Sequence, residues 1–226
     1  MNRNMFERSI GLLGEENFNR IQDKVVAIFG LGGVGGTVLE ALARTGFQHF
    51  LIVDFDKVDI TNLNRQILYT AKDVGKNKVD AAKRKILSIN PDADVKAFNV
   101  RAQDFYFDQK IDFIVDAIDD VDGKIFLLKK AQEYRLPQIM SLGMANRFNP
   151  EQVCIAKLNQ THNDPLAKKI RFTAKQASLD LCKINVVTSE ELPQKNREKL
   201  FSTMMVPSSA GLVIAKFILN SIIDTK

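Results

Sequence analysis

The stretch DFDKVDITNLNRQ, residues 54–66, places two carboxylates, Asp54 and Asp56, ahead of Asn62, Asn64, Arg65 and Gln66. A carboxylate at a strand end is the group that holds a ribose diol. A guanidinium a few residues on adds a delocalised charge, worth most where negative charge develops as pyrophosphate leaves. The amides of Asn62, Asn64 and Gln66 donate to phosphate or ribose oxygens. Lys78, near the start of a following helix, supplies a second cation. Asp119, in DAIDD, stands at another strand end with Asp120 beside it. Magnesium takes one or two carboxylates plus phosphate oxygens, and Asp119 suits that role.

Upstream lies GLGGVGG, residues 30–36, in which Gly30, Gly32 and Gly35 satisfy G-x-G-x-x-G and Gly33 adds a further small residue. The motif follows a strand and opens a helix, and Asp54 comes about twenty residues later, as a dinucleotide-type fold requires. Phosphate oxygens then approach backbone amides at the positive end of the helix. NAD, FAD, S-adenosylmethionine and ATP all fit such a scaffold. Two cations, an acidic strand end and a glycine cradle favour attack on an ATP phosphoryl group over hydride transfer. Each residue also has a plain structural reading. Asp119 could cap the helix DGKIFLL, Lys78 could be a solvated charge, and Arg65 could pair with Asp54 or Asp56.

These residues need a frame. KVVAIF, HFLIVD, DVKAFNV, IDFIVDAID and LPQIMSLG read as strands. VGGTVLEALART, GKNKVDAAKRKILSIN and DGKIFLLKKAQEY alternate with them as helices, Gly46 stopping the first and Asn90-Pro91 the second. The alternation predicts an α/β, Rossmann-like, doubly wound and mostly parallel sheet. After Gly143, EQVCIAKL is expected to return along the sheet edge and KINVVTSEELP to give one more strand. SSAGLVIAKFILNSII is expected as a helix capped by Ser208 or Ser209, its apolar run too short to span a bilayer. The chain is expected to form one domain: a helical segment at 1–22, a nucleotide-binding core at 24–145, and a substrate-side extension at 146–226 that completes the sheet.

Composition narrows the field. The chain has 226 residues, 45% hydrophobic and 26% charged, enough to bury a core. Its net charge of +5 is compatible with a polyanionic partner. The only cysteines are Cys154 and Cys182, so a thiolate zinc cluster is excluded. No cleavable leader is legible in MNRNMFERSI, and a cytoplasmic protein without a membrane is expected.

GLGGVGG, LIVDFDKVDITNLNRQ, VGKNKVDAA, INPDADV and DAIDD resemble, in order, the adenylation motifs of the ThiF/MoeB/HesA family, bacterial relatives of ubiquitin-activating enzymes. The resemblance implies that a carboxylate attacks the α-phosphate of ATP, giving an acyl-AMP and pyrophosphate. It implies Asp54 as ribose ligand, Asn64, Arg65, Gln66 and Lys78 as phosphate ligands, and Asp119 as the magnesium-side aspartate. It further implies a homodimer in which Arg8, in MFERSIGLLGEE, reaches the partner's ATP. NDPLAKKIR, NVVTSEELP and VPSSAGLVIAKFIL are most similar to the TcdA/CsdL group, tRNA threonylcarbamoyladenosine dehydratases. That implies a modified tRNA as substrate, with the basic run from Lys157 to Lys183 against its phosphates. It also leaves room for a monovalent cation and a cysteine-desulfurase partner. Two other readings stand beside it: an adenylating enzyme for a ubiquitin-like sulfur carrier, with Cys182 as a crossover cysteine, and a non-enzymatic Rossmann-like binding module.

Overall fold

Val25–Phe29 is an apolar run without alternation, the pattern of a parallel strand covered on both faces. In the computed structural model, which describes residues 3–194 and 199–223, it forms β1, and four of its five side chains are buried. β2 (His49–Val53) and β4 (Phe113–Asp116) flank it, both parallel. With β3 (Asp94–Phe98), β5 (Gln138–Ser141), β6 (Val153–Lys157) and β7 (Asn185–Ser189) they build a seven-stranded sheet in the order β3-β2-β1-β4-β5-β7-β6. β6 alone is antiparallel and sits at the edge, as EQVCIAKL led us to expect.

Side chains alternate across the sheet and so define two covered faces. Val26 and Ile28 point into a core shared with α3 (Gly33–Thr45), α4 (Lys78–Ile89) and α7 (Met205–Ile223). Ala27 and Phe29 point the other way, toward Leu127 and Ala131 of α5 (Val121–Glu133) and toward Phe105. The expected helix face Val38, Leu39, Leu42 and Ala43 is buried at 1% exposure or less. At the amino end, α1 (Glu7–Leu13) packs on α2 (Glu15–Gln22), which buries Phe18 and Ile21.

The extension after Gly143 joins the same sheet, through β6 and β7. The structure adds one helix and moves the start of another. The polar, basic segment after Asn159 contains a helix, α6 (Pro165–Gln176), started by Asp164, whose carboxylate accepts from Leu166 N at 2.8 Å and Ala167 N at 3.1 Å. Ala167, Ile170 and Ala174 bury a narrow stripe under its basic face. α7 begins at Met205, not at Ser208 or Ser209; Ser208 N already donates to Met204 O at 3.0 Å. With 19 residues, α7 is by length and composition long and apolar enough to cross a membrane, contrary to the shorter run read from sequence, but it lies packed against α3 and eight of its residues are buried.

Register brings the carboxyl ends together. Phe29 pairs with Val53 on one side and with Asp116 on the other. The loops after β1, β2 and β4 therefore leave from one edge, at the point where strand order reverses, which is where open α/β sheets bind ligands.

Candidate active site

The loop after β1 is shaped by contacts that only glycine permits. Gly30 has φ +86°, and a Cβ there would meet Ala117 O at 2.6 Å; one at Gly35 would meet Gly30 O at 1.9 Å. Gly33 lies under Pro207 of α7 and the carbonyl of Arg65, each 3.0–3.1 Å from an added Cβ. Gly32 differs. Its backbone is extended, and the nearest atom to an added Cβ is Gln66 Nε2 at 3.8 Å, an ordinary contact. The protein itself does not demand glycine at this position. Gly32 is also the N-cap of α3 and brings no side-chain cap, leaving the first helical amides to an outside acceptor. We expect Gly32→Ala to weaken ATP binding at least tenfold with little change in melting temperature, and Gly35→Ala to lower the melting temperature itself. Paired calorimetric and nucleotide-binding measurements would check this, and tight ATP binding by Gly32→Ala would refute it.

Asp54 fixes the loop from β2. One carboxylate oxygen accepts from Leu31 N at 2.7 Å, the other from Asp56 N at 2.8 Å. Burial pushes the Asp54 pKa above the usual carboxylate value, and the Lys78 ammonium works against that rise. Lys78 is itself buried at the start of α4, 2.7 Å from Asp56 Oδ2 and 3.9 Å from Asp54 Oδ2. It is no solvated helix charge. Of the two acids Asp56 is the more exposed, and it is the closer partner of Lys78. From the next turn, Tyr69 donates its hydroxyl to Leu31 O at 2.9 Å, and burial keeps that hydroxyl protonated.

Arg65 pairs with neither Asp54 nor Asp56. Its Nη1 donates to Thr61 O at 2.8 Å and to Asn64 Oδ1 at 2.9 Å, and its other donors have no protein acceptor among the described residues. Asn64 therefore orients the guanidinium, while its own Nδ2 donates to Ser202 O at 2.8 Å. Asn62 spends its side-chain oxygen on Asp59 N in a local capping box. Gln66 is buried, and its Oε1 has no partner in the protein. A buried acceptor without a donor costs free energy unless a ligand supplies one, and Gln66 lies against the glycine loop.

After β4, the helix cap belongs to Asp120, which accepts from Gly123 N at 2.7 Å and from Gln103 Nε2 at 3.0 Å. Asp119 is exposed and has no partner among the described residues. The capping alternative for Asp119 is thus corrected, and Asp120 is committed to the helix. Arg8 is exposed on α1 and makes no bond to the loop within one chain. Cys154 lies half-buried on β6, where burial raises its thiol pKa, and Cys182 is exposed in a turn, not packed.

Sequence reading missed two groups here. Lys124 is fully buried, donating from Nζ to Asp116 Oδ1 and to Ser141 O, each at 2.8 Å. Asp116 Oδ1 also accepts from Ile118 N at 3.3 Å and so shapes the turn that carries Asp119. The legible signal was an aspartate inside the apolar run FIVD.

A glycine cradle, a strand-end carboxylate pair, a buried lysine and an unpaired guanidinium at the switch point of a parallel sheet define a nucleotide-activating Rossmann-like protein. A profile of the ThiF family matches residues 6–224, and the chain belongs to that family. It is 35% identical to a tRNA threonylcarbamoyladenosine dehydratase of Bacillus subtilis, over 92% of this chain and 91% of that one. It is 31% identical to tRNA threonylcarbamoyladenosine dehydratase 2 of Saccharomyces cerevisiae, over 88% of this chain but only 45% of the longer yeast protein. The crystal structure of the Escherichia coli tRNA N6-threonylcarbamoyladenosine dehydratase in complex with ATP superposes with a TM-score of 0.92, at 28% identity, covering 98% of this chain and 95% of that one.

Proposed function

We propose that this chain is an ATP-dependent tRNA threonylcarbamoyladenosine dehydratase. The observation that carries the reading is similarity to such a dehydratase along 91% of that protein's length, joined to an anion site whose Arg65 guanidinium is left open. ATP lies with its phosphates on the amides of Gly32 and Gly33 and its ribose at Asp54 and Asp56. A threonyl carboxylate oxygen attacks the α-phosphorus, the bond to the bridging oxygen breaks, and pyrophosphate leaves. Arg65 and Lys78 offset the charge that grows on the departing group, and Gln66 accepts from a nucleotide hydroxyl. Magnesium relies on one or two carboxylates and phosphate oxygens, and Asp119 is an exposed carboxylate without a partner among the described residues. Asp119 would hold it, and the bound ion would neutralise phosphate charge.

The carbamoyl group of the same nucleotide then attacks the acyl carbon. The bond to AMP breaks, the ring closes, and the lost proton passes to water. The nucleophile is tethered to its target, so proximity replaces an enzyme thioester; neither Cys154 nor Cys182 is needed. Neither step requires a monovalent cation or a desulfurase partner. The chain acts as one domain, in the cytoplasm, as a homodimer whose second copy supplies Arg8. The basic face of α6 lies toward the tRNA phosphates.

Modified tRNA should stimulate pyrophosphate exchange, and a ubiquitin-like carrier should not; the reverse pattern would establish the sulfur-carrier reading instead. Asp119→Asn should raise the magnesium concentration needed for half-maximal exchange several-fold. A superimposable magnesium titration would remove Asp119 from the metal site.

A further inference from the structure

A cavity of about 260 Å³ opens between the chain after β5 and the chain that leads into α7. Phe148 and Phe201 stand at its rim with 58% and 55% of their surface exposed. The two rings give the cavity an aromatic rim beside the polar groups of Asn146, Gln194 and Thr203. We propose that this cavity receives the modified adenine itself, turned out of its strand, with the two phenyl rings as stacking faces; the proposal rests on the tRNA reading above.

The cavity is built and held. Asn146, in the left-handed region at φ +59°, donates its amide to Phe201 O at 2.7 Å and accepts from Phe201 N on its Oδ1 at 2.8 Å. Its carbonyl accepts from Gln194 N at 2.7 Å, so one residue pins both Gln194 and Phe201. Glu191 holds the main chain at the other ring, its carboxylate accepting from Phe148 N and Asn149 N at 2.9–3.0 Å. The Arg147 guanidinium is a strut, since it donates to the carbonyls of Gly143, Ser189, Glu191 and Asn163. A main chain held in this way leaves only side-chain freedom of the rings to be lost on binding.

Size and position select the occupant. Small-molecule pockets start at roughly 300 Å³, so this one suits a single base with its substituent projecting out, and not a stem of nucleic acid. Every base has a π-face, and single-stranded or flipped bases are held by aromatic stacking with polar groups reading their edges; Gln194 and Thr203 supply polar edges here. The wall also reaches the phosphate site. Ser202 O accepts from Asn64 Nδ2, and Asn64 Oδ1 accepts from Arg65, so two hydrogen bonds separate the cavity from the guanidinium. A base stacked in this cavity lies next to the loop that carries Arg65, the side on which its threonyl carboxylate is needed.

The test compares wild type with Phe148→Ala, Phe201→Ala and the tyrosine variants of both, on modified tRNA and ATP. Losing a base stack should raise the KM for tRNA roughly 5- to 150-fold, with ATP affinity unchanged and the tyrosine variants close to wild type. The free nucleoside N6-threonylcarbamoyladenosine should compete against wild type and fail against the alanine variants. An unchanged KM for tRNA in both alanine variants would overturn the pocket and leave the function intact. A parallel loss of ATP affinity would also overturn it, because the rings would then be serving the nucleotide site. A wild type that releases no AMP with modified tRNA would overturn the function, and the pocket with it.

Discussion

Arg65→Ala is expected to lower acyl-adenylate formation by about 10²- to 10³-fold, the scale of removing one positioned donor from a developing oxyanion. The size follows from how the guanidinium is held. Asn64 and the Thr61 carbonyl occupy one of its nitrogens, and no acid neutralises the rest. A charge already oriented stabilises the departing pyrophosphate without reorganising when it leaves. Because Arg65 lies near the surface and supports no buried network, the variant should keep the wild-type melting temperature. Lys arriving at the same position should recover little, since a point charge does not reproduce the fork. Pyrophosphate exchange and single-turnover AMP release are the measurements; wild-type exchange in the alanine variant would end the assignment. The same variant tests the shared dimer. Mixed with Arg8→Ala, it should regain up to about a quarter of wild-type activity if each site borrows Arg8 from its partner, by the statistics of random pairing of isologous subunits; no gain on mixing would restrict each site to its own chain.

The second large effect is on stability. Lys124→Met should destabilise the protein by about 3–5 kcal/mol, the cost of leaving a buried charge without its partner. Asp116 is fully buried, its Oδ2 already lacks a hydrogen bond, and burial pushes its pKa up while Lys124 holds it down. Without Lys124 the rise is larger. A carboxyl whose folded pKa exceeds its unfolded value favours the fold while protonated, and this advantage disappears as pH climbs through the folded value. The deficit of Lys124→Met should therefore be smaller near pH 5 than near pH 8 in urea titrations. A deficit independent of pH would mean that Asp116 is not the group left unpaired. Adding Asp116→Leu should recover most of the loss, as replacing both members of a buried pair often does. Activity should stay low, because the Ile118 amide loses the acceptor that shapes the turn before Asp119.

The frame was legible because parallel strands must be apolar on both faces and their helices amphipathic. KVVAIF and VGGTVLEALART could scarcely be anything else, and even the returning edge strand followed from EQVCIAKL. The candidate site residues were legible as types at a spacing, glycines, a strand-end acid, then a cation, and the fold brings them to one edge of the sheet. Their division of labour was not. Asp119 and Asp120 are adjacent and alike, and only the backbone geometry of α5 gives the cap to Asp120. Asn64 reads as one more phosphate donor until its amide is seen holding Ser202, far along the chain. The start of α7 was misplaced because serines are common caps, whereas tertiary packing carries this helix back to Met205. Lys124 looked like one of many helix lysines; its burial depends on Asp116, and no local pattern links them.

Pro207 sits over Gly33, and α7 lies along α3. The glycine loop after β1 is thus packed in part by a helix that comes much later in the chain. During synthesis the early strands can pair as they emerge, whereas the contact of Pro207 with Gly33 waits for residues 205–223 to be translated. The glycine loop after β1 therefore meets one of its packing partners only once a segment about 170 residues further along the chain has been made.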